Sequence, residues 1–315
     1  MDTAARISII TPSLNQAPFL SRTIDSVLSQ KVEGLEYVVI DGGSTDGTRE
    51  ILERCGGQVD WVSEPDKGQS HAVNKGIRRT NAPIVGWLNS DDVYAPGALA
   101  TVLEAFEQDS EADIIYGRAN HIDAEGNIIE AYPTEPWRAD VLLETCFLCQ
   151  PAAFVRRRVF ETIGLLDESL NYCMDYEYWI RASDAGLVVR HIPDLLAGSR
   201  VHGLTKTFGQ PVKVHDEICR MFARRGSVPG RWLIGWGMSQ AYNRGFRRDH
   251  WRTFIPATLR FSSQAARRFN GSAGWPWVRT AAHWIWKNAR SYWQLQLRHL
   301  RGESVRQDAD LREIC

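Results

Sequence analysis

The chain has 315 residues, 43% of them hydrophobic and 24% charged, so it is long enough to bury the core of one large domain or two. The formal net charge of −1 hides an uneven distribution, because residues 220–301 hold 16 Lys and Arg against one acid, Asp249. No apolar run reaches the roughly 18 residues of a membrane span, and the N-terminus lacks the pattern of a secretory signal. These features favour a cytoplasmic enzyme with an acidic first two-thirds and a basic last third.

Short apolar strands alternate with helices through the first half of the chain. Such alternation is typical of an open, mostly parallel α/β sheet with helices on both faces. In chain order, we predict strands at 6–11, 37–40, 59–62 and 84–88, and helices at 19–30, 48–54, 69–79 and 98–106. Pro12 is expected to end the first strand.

The middle of the chain adds further elements to this sheet. Residues 113–132 alternate apolar and polar side chains around a Gly turn, which predicts added antiparallel strands. Strands at 152–155 and 188–192 and helices at 159–163 and from Asp175 to a stop at Gly186 follow.

The last third is expected to be helical. It contains 8 of the 12 tryptophans, interleaved with Arg. We therefore predict three regions: a catalytic domain over 1–210, a basic, Trp-rich helical region over 211–301, and a polar tail over 302–315.

Two adjacent carboxylates, Asp91 and Asp92, follow the apolar run 85–88, and Pro96-Gly97 then opens a helical pattern. Acids at this point lie at the carboxyl end of a strand, which is where open α/β sheets bind ligands. Helix capping is the structural alternative, since Ser and Asp before a helix satisfy free N–H groups. The sequence contains neither G-x-G-x-x-G nor a P-loop, so a dinucleotide fingerprint and a P-loop triphosphate site are both excluded.

Several motifs recur in a fixed order with this acid pair. The main ones are Thr11-Pro12-Ser13, Asp41-Gly-Gly-Ser-Thr-Asp, Asn89-Ser-Asp91-Asp92 and Asp175; segments 63–69, 74–76 and 164–168 accompany them. The set resembles the inverting family 2 glycosyltransferases of the GT-A fold over residues 6–207. There are two departures: Gly42 stands where the family often has a second Asp, and Met174-Asp175 replaces a Glu-Asp pair.

The resemblance implies a divalent cation, Mn²⁺ or Mg²⁺, that neutralises the diphosphate of a nucleotide sugar. It places the metal chiefly on Asp92, with Asp91 near the ribose or the waters of the metal, and His202 is a further metal candidate in an Arg-x-His segment. Predicted contacts to the donor sugar nucleotide are Thr11, Pro12, Ser13, Asp41, Asp66, Lys67, Asn74, Asp91, Arg200 and Lys206.

One base must take the proton of the acceptor hydroxyl in an inverting transfer. Asp175 is the predicted base. Glu177, two residues later, is a rival candidate, but it is better suited to supporting the site than to acting as the base. Structural alternatives exist for several of these residues. Asp175 suits a helix N-terminus, Asp41 can cap its own turn, Asp66 and Lys67 can be a solvated turn pair, and His202 can simply be exposed.

The basic, Trp-rich region predicts peripheral contact with the inner face of a membrane through residues 220–301, where lipid-linked acceptors reside. Packing of these helices on protein is the alternative. Nucleic acid is not an expected partner, because no reading motif accompanies the charge.

The predicted function is a metal-dependent inverting transfer from a nucleotide-diphosphate sugar, UDP-linked, to a saccharide or lipid-linked acceptor in surface polysaccharide biosynthesis. The alternatives are a nucleotidyltransferase and a catalytically inactive GT-A-like scaffold that binds sugar or membrane. The donor sugar, the acceptor and the linkage are not encoded in any recognisable motif.

Overall fold

The computed structural model describes residues 4–203, 205 and 209–300, with only the backbone for 289–300. Its contacts divide the chain into two compact units. Unit 1 consists of the described residues up to Leu142 together with those of Cys146–Thr205. Unit 2 consists of Leu143–Thr145 and the described residues from 209 onward. This division lies slightly before the boundary predicted at residue 210. None of the helices in the described part of the chain combines the length and the apolar character needed to cross a bilayer.

Unit 1 is built on one sheet, in which the described residues form nine strands. The strands are β1 (Ile7–Ser13), β2 (Leu35–Asp41), β3 (Asp60–Ser63), β4 (Ile84–Trp87), β5 (Val93–Tyr94), β6 (Ile114–Ile122), β7 (Ile128–Ala131), β8 (Ala153–Arg156) and β9 (Val189–Arg200). Their order is β3-β2-β1-β4-β8-β6-β9-β5, with β7 paired to β6. The pairings from β3 to β4 are parallel, and β5, β7 and β8 pair antiparallel to their neighbours. The predicted α/β class with added antiparallel strands is confirmed.

The helices of unit 1 follow the predicted order, and two of them match their predicted bounds. They are α1 (Ala17–Leu28), α2 (Thr48–Arg54), α3 (Gln69–Arg79), α4 (Ala98–Gln108), α5 (Ala139–Leu142), α6 (Arg157–Ile163) and α7 (Met174–Asp184). Ile7 and Ile9 share a core cluster with α1 and α4, whereas α3 meets Ile10 through Gly76. Because adjacent residues of a strand point to opposite faces, helices cover both faces of the sheet.

The first strand continues through Pro12, contrary to the prediction that Pro12 ends it. Pro12 lies beside Ile40 of β2, but β4 pairs with β1 only as far as Ile10. At Pro12, β1 is therefore paired with a neighbouring strand on one side only. Proline has no backbone N–H to donate, and a strand tolerates it where one side is unpaired. The last strand is also longer than the predicted 188–192, because β9 pairs along β6 as far as Arg200 and also pairs with β5 at Ala197 and Gly198.

Unit 2 is helical in its described residues, as predicted for this region. Its long helices are α8 (Pro211–Arg224), α9 (Gly230–Asn243), α10 (Trp251–Asn270) and α11 (Trp275–Leu300). Trp232 and Trp236 are buried in its interior, and the Trp277 indole N–H donates to Ser262 Oγ over 3.1 Å. Part of the tryptophan content thus serves ordinary packing, which was the alternative to membrane contact.

Candidate active site at the carboxyl edge of the sheet

Asp92 is the buried member of the acid pair. Its Oδ1 accepts the backbone N–H of Arg200 over 2.8 Å, and its Oδ2 accepts from Asn89 Nδ2 over 3.1 Å. The Thr23 hydroxyl lies 2.9 Å from the Ser90 carbonyl and 2.8 Å from the Asp92 carbonyl, which ties this turn to α1. Burial, and then the charge of Asp91, raise the pKa of the Asp92 carboxyl well above its usual range. Asp92 therefore fixes the end of β9 against the acid turn.

Asp91 is the more accessible member of the pair and faces His202. Asp91 Oδ2 lies 3.0 Å from His202 Nε2, and the His202 ring packs 4.6 Å from the ring of Phe19. The carboxylate and the imidazole belong to residues 111 positions apart in the chain. The structure thus brings together the three predicted metal residues, but with Asp91 and His202 directed toward each other and Asp92 directed toward the scaffold.

Arg200 is buried, and its guanidinium bonds to main-chain carbonyls. Nε donates to the Asp91 carbonyl over 2.7 Å, and Nη1 donates to the carbonyls of Asp123 and Ala124 over 2.7 and 2.9 Å. The guanidinium also lies 5.2 Å from the Phe19 ring centroid. This placement departs from the predicted pyrophosphate contact, because binding a phosphate would require those bonds to be exchanged. Lys206, the other predicted cation, lies outside the described residues.

A chain of side-chain amides supports the acid turn. Gln69 Nε2 donates to Asn89 Oδ1 over 2.7 Å; Asn89 Nδ2 lies 3.1 Å from Gln150 Oε1, and Gln150 Nε2 donates to the Trp87 carbonyl over 2.6 Å. These amides connect the start of α3 to the end of β4. Sequence reasoning did not assign them a role, although Gln69 and Asn89 lie inside the quoted motifs. Gln150 gave no comparable signal.

Asp41 caps the turn after β2, which was its structural alternative. The side chain is fully buried, and Oδ2 accepts from Gly43 N, Ser44 N and Ser63 Oγ over 3.2, 3.0 and 2.6 Å. The Ser44 hydroxyl donates to Oδ1. A contact from Asp41 to a nucleoside base, as the resemblance implies, would have to share an oxygen with these donors.

The Asp66 carboxylate lies over the same turn. Asp66 Oδ1 accepts the backbone N–H of Gly68 over 2.8 Å, while a Cβ added to Gly42 would come within 2.7 Å of Asp66 Oδ2. Glycine at position 42 therefore leaves the space that Asp66 uses, which gives a physical reason for the departure from the usual Asp. Lys67 is exposed next to it.

The Thr11-Pro12-Ser13 segment lies at the same edge of the sheet. Ser13 is level with Asp41 of β2, and Asp41 is level with Ser63 of β3. Thr11 Oγ1 is bonded to the Tyr37 hydroxyl over 3.1 Å. Within the described residues, the buried Ser13 Oγ has no hydrogen-bond partner. An unsatisfied hydroxyl at the carboxyl end of a central strand is suited to a polar ligand.

Asn74, predicted to contact the donor, has an amide that is bonded within the protein at both ends. Its Nδ2 donates to the Leu166 carbonyl over 2.9 Å and to Glu168 Oε1 over 3.0 Å, and its Oδ1 accepts the Leu166 N–H over 3.0 Å. The side chain is 1% exposed. Both ends of the amide therefore hold the 164–168 segment against α3.

Asp175, the predicted base, lies half-buried in the first turn of α7. Trp179 is one turn later and stacks on Trp87 of β4, with ring centroids 5.6 Å apart. Side chains four residues apart share a helix face, so Asp175 lies on the face that meets the strand of the acid pair. Burial raises the pKa of the Cys149 thiol, and the charges of both Asp92 and Asp175 contribute to the rise.

Glu177, the rival base, forms a salt bridge with Arg181. The two guanidinium contacts to its carboxylate measure 3.0 and 2.9 Å. Arg181 also donates to the carbonyls of Ile163 and Leu165. Glu177 therefore stabilises the packing of α7.

The donor atoms at the acid turn fit a hard divalent cation shared with phosphate. In the part of the chain that the structure describes, no three His, Cys, Asp or Glu side chains converge as a ready metal site. Mg²⁺ and similar ions in nucleotide enzymes take one or two protein ligands and complete their shell with phosphate and water. One accessible carboxylate, Asp91, beside one imidazole, His202, provides such a partial set.

Comparison with known proteins identifies a family and several relatives. The family described as Glycosyl transferase family 2 matches residues 8–164. A chondroitin synthase of Escherichia coli is 28% identical over 200 residues, which are 62% of this chain and 29% of that protein. An uncharacterized glycosyltransferase of Rickettsia prowazekii is 28% identical over 215 residues, 64% of this chain and 65% of that protein. The chain thus spans less than two-thirds of the length of either relative.

Solved structures show the same fold. S. aureus TarS 1–349 in complex with UDP-GlcNAc superposes with a TM-score of 0.58 at 14% identity, over 96% of this chain and 93% of that one. The mannosyltransferase PcManGT from Pyrobaculum calidifontis, in complex with GDP-Man and Mn²⁺, gives 0.56 at 19% identity, over 91% and 80%. Together with the ordered motifs and the acid turn, these findings show that the chain belongs to the family 2 glycosyltransferases and has a GT-A catalytic fold.

Proposed function

We propose that this chain is an inverting, divalent-metal-dependent glycosyltransferase that uses a UDP-sugar. The observation that carries the proposal is the pairing of Asp91 with His202 at the carboxyl edge of the sheet, 3.0 Å apart. The other face of the acid turn is held by Asp92. A relative named chondroitin synthase and a neighbour bound to UDP-GlcNAc support a UDP-linked donor.

In this proposal Asp91 and His202 hold the cation. When bound, the cation neutralises charge on the nucleoside diphosphate as it leaves. Asp92 acts through other residues: its two oxygens position Arg200 and Asn89, and so fix the Asp91 turn. This assignment moves the metal contact from Asp92, where the resemblance placed it, to the more accessible neighbour.

Asp175 is proposed as the base. Its carboxylate takes the proton of an acceptor hydroxyl, the acceptor oxygen bonds to the anomeric carbon, and the bond from that carbon to the diphosphate oxygen breaks. Attack opposite the leaving group inverts the configuration. The Trp87–Trp179 stack positions α7 for this role by joining it to β4.

The metal assignment is tested with Asp91→Asn and Asp92→Asn. We expect Asp91→Asn to weaken Mn²⁺ binding in the presence of UDP by about 100-fold in calorimetry, on the scale of lost metal-site interactions. Asp92→Asn should lower thermal stability and weaken Mn²⁺ binding less. The reverse ranking would return the metal contact to Asp92.

The base assignment is tested with Asp175→Asn and its matched control Glu177→Gln. Asp175→Asn should reduce transfer by about 10²-fold or more, on the scale of general-base catalysis, and leave UDP affinity unchanged. Glu177→Gln should lower stability through its lost ion pair and keep most of the turnover. Ordinary turnover in Asp175→Asn would refute the assignment.

For the acceptor we propose a saccharide or lipid-linked saccharide in surface polysaccharide synthesis, which the polysaccharide-synthase relatives support. The basic unit 2 is proposed to meet the membrane surface where such lipid-linked acceptors reside. The test is mass spectrometry of lipid-linked oligosaccharides incubated with the protein and UDP-sugars. An acceptor whose mass does not increase would contradict the proposed acceptor class.

A further inference from the structure

The last described helix, α11 (Trp275–Leu300), has two distinct faces up to Asn288. One face packs within unit 2: Ala281 is buried, Trp277 donates to Ser262, and the Asn288 amide oxygen accepts from Arg248 Nη2 over 2.8 Å. These residues recur at intervals of four and seven, so they lie along one side of the helix. The packing of this side leaves the remaining surface of α11 to the solvent.

The second face exposes large apolar side chains. Trp275 is 75% exposed and Trp286 58%, and Val278 and Ile285 are exposed as well. At 3.6 residues per turn these four side chains fall within roughly 100° of the helix circumference. Isolated exposed apolar residues are ordinary, but two tryptophans and two aliphatic side chains in one stripe form a surface suited to an apolar environment.

Cations border this stripe along one edge. Arg279 and Lys287 are exposed, His283 is exposed between them, and the sequence from 275 to 300 contains no Asp or Glu. Trp side chains with adjacent Lys and Arg are typical of helices that lie in the headgroup layer of an anionic membrane. An acidic protein surface would complement the cations but gives no reason for two solvated tryptophans.

We propose that the Trp275–Trp286 face of α11 is the surface by which unit 2 lies on an anionic lipid bilayer. This inference rests on the membrane contact in the proposed function and gives it a specific surface. Because it concerns binding alone, it holds or fails independently of the catalytic assignments. Trp275 and Trp286 are 11 positions apart, so the stripe runs about 16 Å along the helix, parallel to the membrane plane.

The test is co-sedimentation of the full chain with vesicles of phosphatidylcholine and phosphatidylglycerol at 3:1, against phosphatidylcholine alone, at 150 mM salt. We expect binding to the anionic vesicles only. Combined Trp275→Ser and Trp286→Ser should reduce partitioning by about tenfold or more, since the exposed aromatic area supplies the apolar part of the binding. Brominated lipids should quench the tryptophan emission of the wild type and quench this variant less.

The charge arm compares two pairs of exposed cations. Arg279→Gln with Lys287→Gln should reduce binding by about fivefold per cation, the contribution of a cation at an anionic surface. Arg252→Gln with Arg260→Gln on α10 is the matched control and should change binding less than twofold, because screening over about 8 Å limits the effect to cations at the lipid. Melting curves establish that each variant is folded.

Three results would overturn the proposal. Equal binding of the wild type and the α11 variants would exclude this face. Loss of binding in the α10 control alone would transfer the contact to that helix. Binding to soluble polyglutamate, retained without Trp275 and Trp286, together with no binding to vesicles, would indicate an acidic protein partner.

Discussion

Replacing Asn74 with alanine separates a scaffold role from a role in donor binding. The resemblance to family 2 enzymes predicts a donor contact for this residue, whereas the structure places its amide between α3 and the 164–168 segment. In Asn74→Ala the Leu166 N–H and carbonyl lose their side-chain partner inside the protein. We therefore expect a loss of stability without a specific loss of donor affinity.

The magnitude follows from those two buried groups. A buried donor or acceptor left unsatisfied costs about 1–3 kcal/mol, so the pair costs about 3 kcal/mol at the lower half of that range. The third bond, to Glu168 Oε1, counts for little because that carboxylate is partly exposed and can bind water. Alanine regains about 0.6 kcal/mol of helix propensity at this position in α3. The net expected loss is about 2.5 kcal/mol.

Urea unfolding followed by near-ultraviolet circular dichroism measures this loss, since Trp87 and Trp179 are buried in unit 1. UDP affinity is measured by calorimetry on the folded variant. Asn81→Ala, at an exposed position just after α3, is the control and should unfold like the wild type. A loss below 1 kcal/mol together with at least tenfold weaker UDP binding would refute the scaffold role and restore the donor contact.

Two further predictions concern pH and packing. Burial lowers the pKa of His215, whose Nδ1 lies 2.8 Å from the Pro211 carbonyl. Below the pKa of about 6.5 in the unfolded chain, this histidine binds a proton in the unfolded state but not in the folded state. The free energy of unfolding should therefore fall by about 1.4 kcal/mol for each pH unit of acidification, until the pH reaches the lowered pKa of the folded state. Urea midpoints at pH 7.5 and 5.5 should show the same pH dependence in the wild type and in the exposed-site control His250→Gln, and a smaller one in His215→Gln; some dependence remains there because burial also lowers the pKa of His121 and His191. An unchanged slope in His215→Gln would contradict the prediction. Gly76→Ala should destabilise by about 1–3 kcal/mol, because the new Cβ would lie 2.3 Å from Ile10 Cγ2; a melting temperature at or above that of the wild type would contradict this.

The order of strands and helices in unit 1 could be predicted because each element carries its own signal. The runs before Thr11, Asp41 and Asp91 are apolar enough to be buried, and each ends in polar residues. The predicted helices 48–54 and 69–79 are present with the same bounds. Strand ends were less accurate, as at Pro12, because the end of a strand depends on whether a neighbouring strand is present to pair with it.

The roles of individual side chains were harder to predict than their positions. Arg200, predicted as a phosphate ligand, is bonded to the carbonyls of Asp91, Asp123 and Ala124. Gln150 supports the acid turn from a position 61 residues beyond Asn89. A sequence motif places a polar group near a site, but it does not state which of the group's hydrogen bonds are already made within the protein.

The sequence by itself determined the α/β class, the carboxyl-edge acid pair and the family, because local periodicity and ordered motifs are properties of the chain. Only the tertiary structure decided which acid is accessible. Asp92 is capped by the backbone of Arg200, 108 residues later, and Asp91 faces His202, 111 residues later. The physical reason is that burial and partners distinguish two chemically identical carboxylates, and both are set by where β9 returns to the acid turn.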